Sequence, residues 1–132
     1  MIVVDSSVWI DYFNGVVCPE TDTLHSLLGI EPVALGDVIL AEVLQGFRSD
    51  ADYKTAKHLM SSLIVVEMLG EANAIKCAEN YRALRKHGIT VRKTIDVFIA
   101  TYCIENRCPL LFRDQDFVPF VEHLQLRPVR TS

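Results

Sequence analysis

Short apolar runs alternate with longer amphipathic ones along the chain. Ile2-Val3-Val4 is uniformly apolar and is stopped by Asp5-Ser6-Ser7. A run of that kind suits a strand covered on both faces, as in a parallel sheet. Val8, Trp9, Ile10, Tyr12 and Phe13 then carry a helical pattern that Asn14-Gly15 ends. The spacing predicts a second helix over 21–28 after Pro19, a strand over 32–36, and a helix running to Gly46 with Asp37 as its cap. Ser49 and Asp50 open a helix that ends near Ser62, and residues 63–66 form a third strand. The longest helix spans 70–87, with Ala74, Ala78 and Tyr81 inward, Lys86 and His87 in the last turn, and Gly88 as terminator.

A further helix opens at Thr94 with Asp96 in its first turn, and Leu110-Leu111-Phe112 reads as a strand followed at once by Asp114 and Asp116. A short helix over 118–124 turns Phe117, Phe120 and Val121 inward, and Arg127-Pro128-Val129 reads as an edge strand, where proline is tolerated. Strands interleaved with helices predict an α/β fold around a parallel sheet of about five strands.

In such a fold a helix N-terminus and a strand C-terminus share one rim of the sheet. Asp5, Asp96, Asp114 and Asp116 therefore map to the same rim. Each has a local explanation: Asp5 and Asp114 as caps, Asp96 and Asp116 as first-turn acids. Glu42 shares a helical face with Val38, Ile39, Gln45 and Gly46, and no Lys or Arg precedes Phe47 to pair with it. Read singly, these acids need no function. Read together they do, because two like charges ~5 Å apart at an effective dielectric of ~20 repel by roughly 3 kcal/mol.

A bound divalent cation removes that repulsion. All-oxygen ligation selects Mg²⁺ or Mn²⁺, and the four histidines stand outside the set, which argues against zinc. An ion held by carboxylates activates water and stabilises the charge of an in-line phosphodiester displacement. On this reading Asp5, Glu42, Asp96 and Asp114 or Asp116 ligate metal directly or through water, and Ser6 or Ser7 holds a water or a phosphate oxygen. No Ser/His/Asp or Cys/His arrangement stands out, so covalent catalysis ranks low.

Length and composition narrow the picture. A chain of 132 residues, half of them hydrophobic and 23% charged, suits one domain over 1–132. It holds no apolar run of the ~18 residues a membrane span needs. Asp5 follows Met1-Ile2-Val3-Val4 without a basic region, so the start does not read as a signal peptide, and a soluble cytoplasmic protein is expected. Cys18, Cys77, Cys103 and Cys108 match no zinc spacing and read as reduced, apolar-lying thiols. A net charge of -4 argues against a protein that coats nucleic acid by bulk electrostatics. The basic residues nevertheless gather locally, with Arg82, Arg85, Lys86, Arg92 and Lys93 providing five of thirteen just before Asp96.

Four segments, I-V-V-D-S-S-V-W-I-D, A-E-V-L-Q-G around Glu42, T-I-D-V-F-I-A around Asp96 and L-L-F-R-D-Q-D-F containing Asp114 and Asp116, together resemble the PIN-domain ribonucleases, specifically the VapC toxins of bacterial toxin–antitoxin pairs. The resemblance spans nearly the whole chain. It implies a Rossmann-like sheet in the order 3-2-1-4-5, Mg²⁺- or Mn²⁺-dependent cleavage of RNA of the tRNA or rRNA class, and a homodimer neutralised by a small VapB-type antitoxin. It carries Asp5, Glu42, Asp96 and Asp114 over as the acidic core, with Asp116 as a fifth ligand. Ser6, Arg92 and Arg113 are the positions expected to meet substrate.

Other classes fit less well. A phosphoacceptor receiver domain needs a lysine after the last strands, whereas Lys93 is the final lysine. A haloacid-dehalogenase-type phosphatase wants Asp-x-Asp after the first strand, where this chain has Asp5-Ser6-Ser7. A non-catalytic PIN fold that binds RNA or a protein partner stays open as the alternative.

Overall fold

A computed structural model describes residues 1–131. Strand β1 (Ile2–Val4) lies between β2 (Val33–Gly36) and β4 (Leu110–Leu111), and β3 (Ile64–Val66) lies beyond β2, giving a parallel sheet in the order β3-β2-β1-β4. Ile2 and Val3 pair with Val33 and Ala34, and Val3 and Val4 pair with Leu110 and Leu111. The inner strands are buried, which is why they read as unbroken apolar runs. At the edge the same residue types are wet: Ile64 and Val65 stay about half exposed because β3 is the last strand.

Parallel strands require crossover connections, and helices supply them. These are α1 (Ser6–Phe13), α2 (Pro19–Leu27), α3 (Asp37–Gln45), α4 (Asp50–Ser61), α5 (Glu71–Lys86), α6 (Thr94–Glu105) and α7 (Val118–Leu124), the last preceded by a 3₁₀ turn at Gln115–Phe117. Helix α1 packs on α2 and α3, and α5 packs on α6 and α7. Trp9 is fully buried and stacks on Phe13, with ring centroids 6.0 Å apart. All four cysteines are free thiols.

Four expectations shift. Helix α2 begins at Pro19 rather than Thr21, because proline suits the first helical position and Thr21 Oγ1 accepts the Cys18 N–H at 3.1 Å. Asp37 is not the cap of α3 but its first residue; its Oδ1 accepts the N–H groups of Val38 (2.8 Å) and Met68 (2.9 Å), tying the end of β2 to the loop after β3. On α5 the buried positions are Cys77 and Leu84, while Ala74 and Ala78 are exposed and Tyr81 is half-buried. The face is turned because Cys77 meets α6, its Sγ donating to the Val97 carbonyl, while Asn80 donates to Thr101 Oγ1 at 3.0 Å. The expected fifth strand shrinks to one bridge between Leu110 and Pro128, flanked by Leu110 N–H to Arg127 O and Val129 N–H to Leu110 O. Pro128 has no N–H to extend it.

Candidate metal centre

Asp5 leaves β1 and caps α1. Its Oδ2 accepts the Ser7 N–H at 3.3 Å and the Ser7 hydroxyl at 2.6 Å. The residue is only 4% exposed, and burial pushes its pKa up against those hydrogen bonds, with the charge of Glu42 adding to the rise. The cap explains why the side chain is ordered. It also leaves the carboxylate at the sheet's C-terminal rim.

Among the described residues Glu42 has no basic partner; it has a hydroxyl. Ser6 Oγ donates to Glu42 Oε1 at 2.6 Å, which offsets the cost of a carboxylate among apolar neighbours on α3. Ser6 is itself 5% exposed. Its donated proton is committed to orienting Glu42.

Asp96 sits in the first turn of α6 and is 5% exposed. Burial, then the negative charge of Asp5, push it up to about 7; Lys93 pulls the other way, and Asp114 and Glu42 add to the rise. Its Oδ2 is buried with no hydrogen-bond partner among the described residues. An orphaned carboxylate oxygen is costly, and such an atom in a native fold calls for an occupant.

Asp114 caps the 3₁₀ turn, its Oδ1 accepting the Asp116 N–H at 2.9 Å. That backbone bond, together with the Lys93 ammonium 3.3 Å from Oδ2, holds its pKa below the usual carboxylate range. Asp116 pairs with Arg92 at 3.6 Å. One oxygen from each of Asp96, Asp114 and Asp116 lies within 4.8 Å of the others, the one such group of three or more among the described residues.

The five acids are thus brought together unequally. Asp96, Asp114 and Asp116 form a tight cluster, while Asp5 and Glu42 stand outside that group and reach it through their charge on Asp96. Arg92 lies at the cluster. Arg113 makes other pairs: its guanidinium is 3.1 Å from Asp11 on α1 and 3.8 Å from Glu20 on α2, and the side chain stays half exposed. The pairing of Lys93 with Asp114 was not read from the sequence, where only the nearness of Lys93 to Asp96 stood out. The donor set fits a hard cation, because all its ligand atoms are carboxylate oxygens and Asp96, one of the three residues, carries an unsatisfied buried Oδ2.

The family model described as the PIN domain matches residues 2–120. The chain is 30% identical over 119 residues to the VapC ribonuclease Mb1587 of Mycobacterium bovis and to ribonuclease VapC11 of Mycobacterium tuberculosis, covering 89% of this chain and 89% of each relative. Among solved structures it is similar to VapBC2 from Rickettsia felis, bound to a DNA fragment from the promoter, with a TM-score of 0.77 at 16% identity over 100% of both chains. It is also similar to FitAcB from Neisseria gonorrhoeae, with a TM-score of 0.75 at 16% identity over 98% of this chain and 97% of that one. The span of the family match and the 30% identity to the VapC ribonucleases make the chain a member of the PIN-domain family.

Proposed function

We propose that this chain is a metal-dependent endoribonuclease and the toxin of a toxin–antitoxin pair. The observation that carries the reading is the convergence of Asp96, Asp114 and Asp116, the first of them with an orphaned buried oxygen, in a chain 30% identical to proteins named VapC ribonucleases. Mg²⁺ or Mn²⁺, when bound, lowers the pKa of a coordinated water and offsets the charge that builds on a phosphodiester under attack.

The chain's own residues do the rest. Asp96, Asp114 and Asp116 would hold the cation, and Asp5 and Glu42 would orient water beside it, one of the two carboxylates serving as proton acceptor. Ser7 fixes the Asp5 rotamer and Ser6 fixes that of Glu42. Arg92, 82% exposed beside Asp116, meets a phosphate of the incoming strand. The positions that capped local structure in isolation therefore serve the site as well.

The partner is a small VapB-type antitoxin, a reading supported by the structural neighbours, one of them titled a toxin–antitoxin complex from Klebsiella pneumoniae, and by the VapC relatives. The toxin works as a cytoplasmic homodimer, and no helix among the described residues is long and apolar enough to cross a membrane. The test is cleavage of single-stranded or tRNA-like RNA by the purified chain. Cleavage is expected with Mg²⁺ or Mn²⁺ and none in excess chelator; equal cleavage in both rejects the mechanism. Growth arrest on expression without an antitoxin separates a toxin from a housekeeping nuclease.

A further inference from the structure

Lys93 is the residue before α6 and carries the ammonium that meets the acid cluster. Its Nζ lies 3.3 Å from Asp114 Oδ2, and the charges of Asp114, Asp96 and Asp116 favour its charged form. A divalent ion bound to that Asp114 oxygen at the ~2.1 Å typical of magnesium would stand within ~5.4 Å of the ammonium, with no protein atom required between them. Two cations so close in one pocket repel strongly. The ammonium is also the easier of the two to move, because the Lys93 side chain is 57% exposed on a flexible stem, whereas Asp96 is buried.

We infer that Lys93 is a removable counter-cation: it neutralises Asp114 while the centre lacks its ion, gives that oxygen up when the ion binds, and then holds a phosphate of the substrate strand. The inference rests on the metal-dependent reading above and adds a residue outside the expected acidic set. Arg92 is the weaker competitor, being 3.6 Å from Asp116 and 82% exposed, so removing it changes metal affinity less.

The direct test is calorimetric titration of the full chain with MnCl₂, comparing wild type with Lys93→Met and Lys93→Arg. Lys93→Met is expected to bind Mn²⁺ about three- to tenfold more tightly, since it removes both an ion pair of modest strength and a like charge. Lys93→Arg, which keeps the charge, is expected to stay near wild type. Tighter binding with unchanged circular dichroism supports the inference, because a merely structural lysine does not improve affinity when deleted. Unchanged or weaker binding by Lys93→Met overturns it alone. Failure of the wild type to bind Mn²⁺ at all overturns the parent reading as well.

At saturating Mn²⁺, Lys93→Met is expected to raise the KM for single-stranded RNA several-fold while kcat stays within about twofold. The slope of log affinity against log salt should fall by about 0.7, the value of one phosphate contact on a single strand. A KM and salt slope equal to wild type overturn the phosphate contact.

Discussion

Ser6 Oγ donates a 2.6 Å hydrogen bond to Oε1 of Glu42, joining the first turn of α1 to the middle of α3 across 36 positions of sequence. It is the only hydrogen bond that Glu42's carboxylate makes among the described residues, so the orientation of that acid depends on one hydroxyl. Hydrogen bonds to charged groups contribute more than neutral ones, and a half-buried acceptor left bare costs part of its desolvation. Ser6→Ala is expected to lower stability by about 1–2 kcal/mol. RNA cleavage should fall more than tenfold with metal affinity changed less; a urea midpoint and cleavage rate equal to wild type would remove the orienting role.

Asp96→Asn keeps the shape of the side chain and removes its charge. Cleavage is expected to drop by about a hundredfold or more, in line with the loss of a group that stabilises reaction-centre charge. The fold is expected to persist, as judged by circular dichroism, because the lost charge is one that burial and Asp5 already disfavour.

The same residue sets a pH dependence. Asp96 stands at about 7 in the fold against 3.8 unfolded, so between those values the native state binds more protons than the unfolded state and stability falls as pH rises. Its contribution is full below pH 3.8 and lost as pH passes 7; Asp5 acts in the same direction, and Asp114, whose pKa is lowered, acts oppositely at the acid end. In chelator, the urea midpoint is expected to decline from pH 4 to pH 8, and Asp96→Asn should flatten that decline and exceed wild type at pH 8. A slope identical in the two proteins would contradict the assignment.

Divalent metal should reverse that loss. A ligand bound only by the native state adds about 2.7 kcal/mol at a hundred times its Kd. Adding Mn²⁺ at pH 8 is therefore expected to raise Tm by several degrees, and a mixed Asp114→Asn, Asp116→Asn variant should show no such rise.

Gly36 closes β2 against Met68, and a Cβ there would overlap the Met68 sulfur and terminal methyl. Met68 is fully buried, so its thioether end has to repack within the core to make room. Gly36→Ala is expected to cost about 1–3 kcal/mol by overpacking, read as a lower urea midpoint.

Much of this could be read from residue order because the inner strands are buried on both faces and their polar ends stop them. The acids after β1 and β4 and at the start of α6 followed from the shared rim. What eluded the sequence depends on distant partners. Nothing near Asp37 announces that its carboxylate holds the Met68 N–H, 31 positions away. Nothing local to Lys93 announces Asp114, 21 positions on. The α5 face was misjudged because Ala74 and Ala78 are too small to declare a side, and it is Cys77, against the Val97 carbonyl of α6, that marks the inner one. Nothing local to Arg113 announces its pairs with Asp11 and Glu20, both more than ninety positions earlier.

Trp9 is the sole tryptophan of the chain, sealed from solvent four positions after Asp5 and stacked on Phe13. Excited beyond the absorption of the four tyrosines, its indole emission carries no second tryptophan's signal, and it reports on the helix that begins at the acid rim. The protein has in effect its own optical gauge: any event that loosens the first helix, from acid to denaturant, will be seen as a red shift of one identifiable ring.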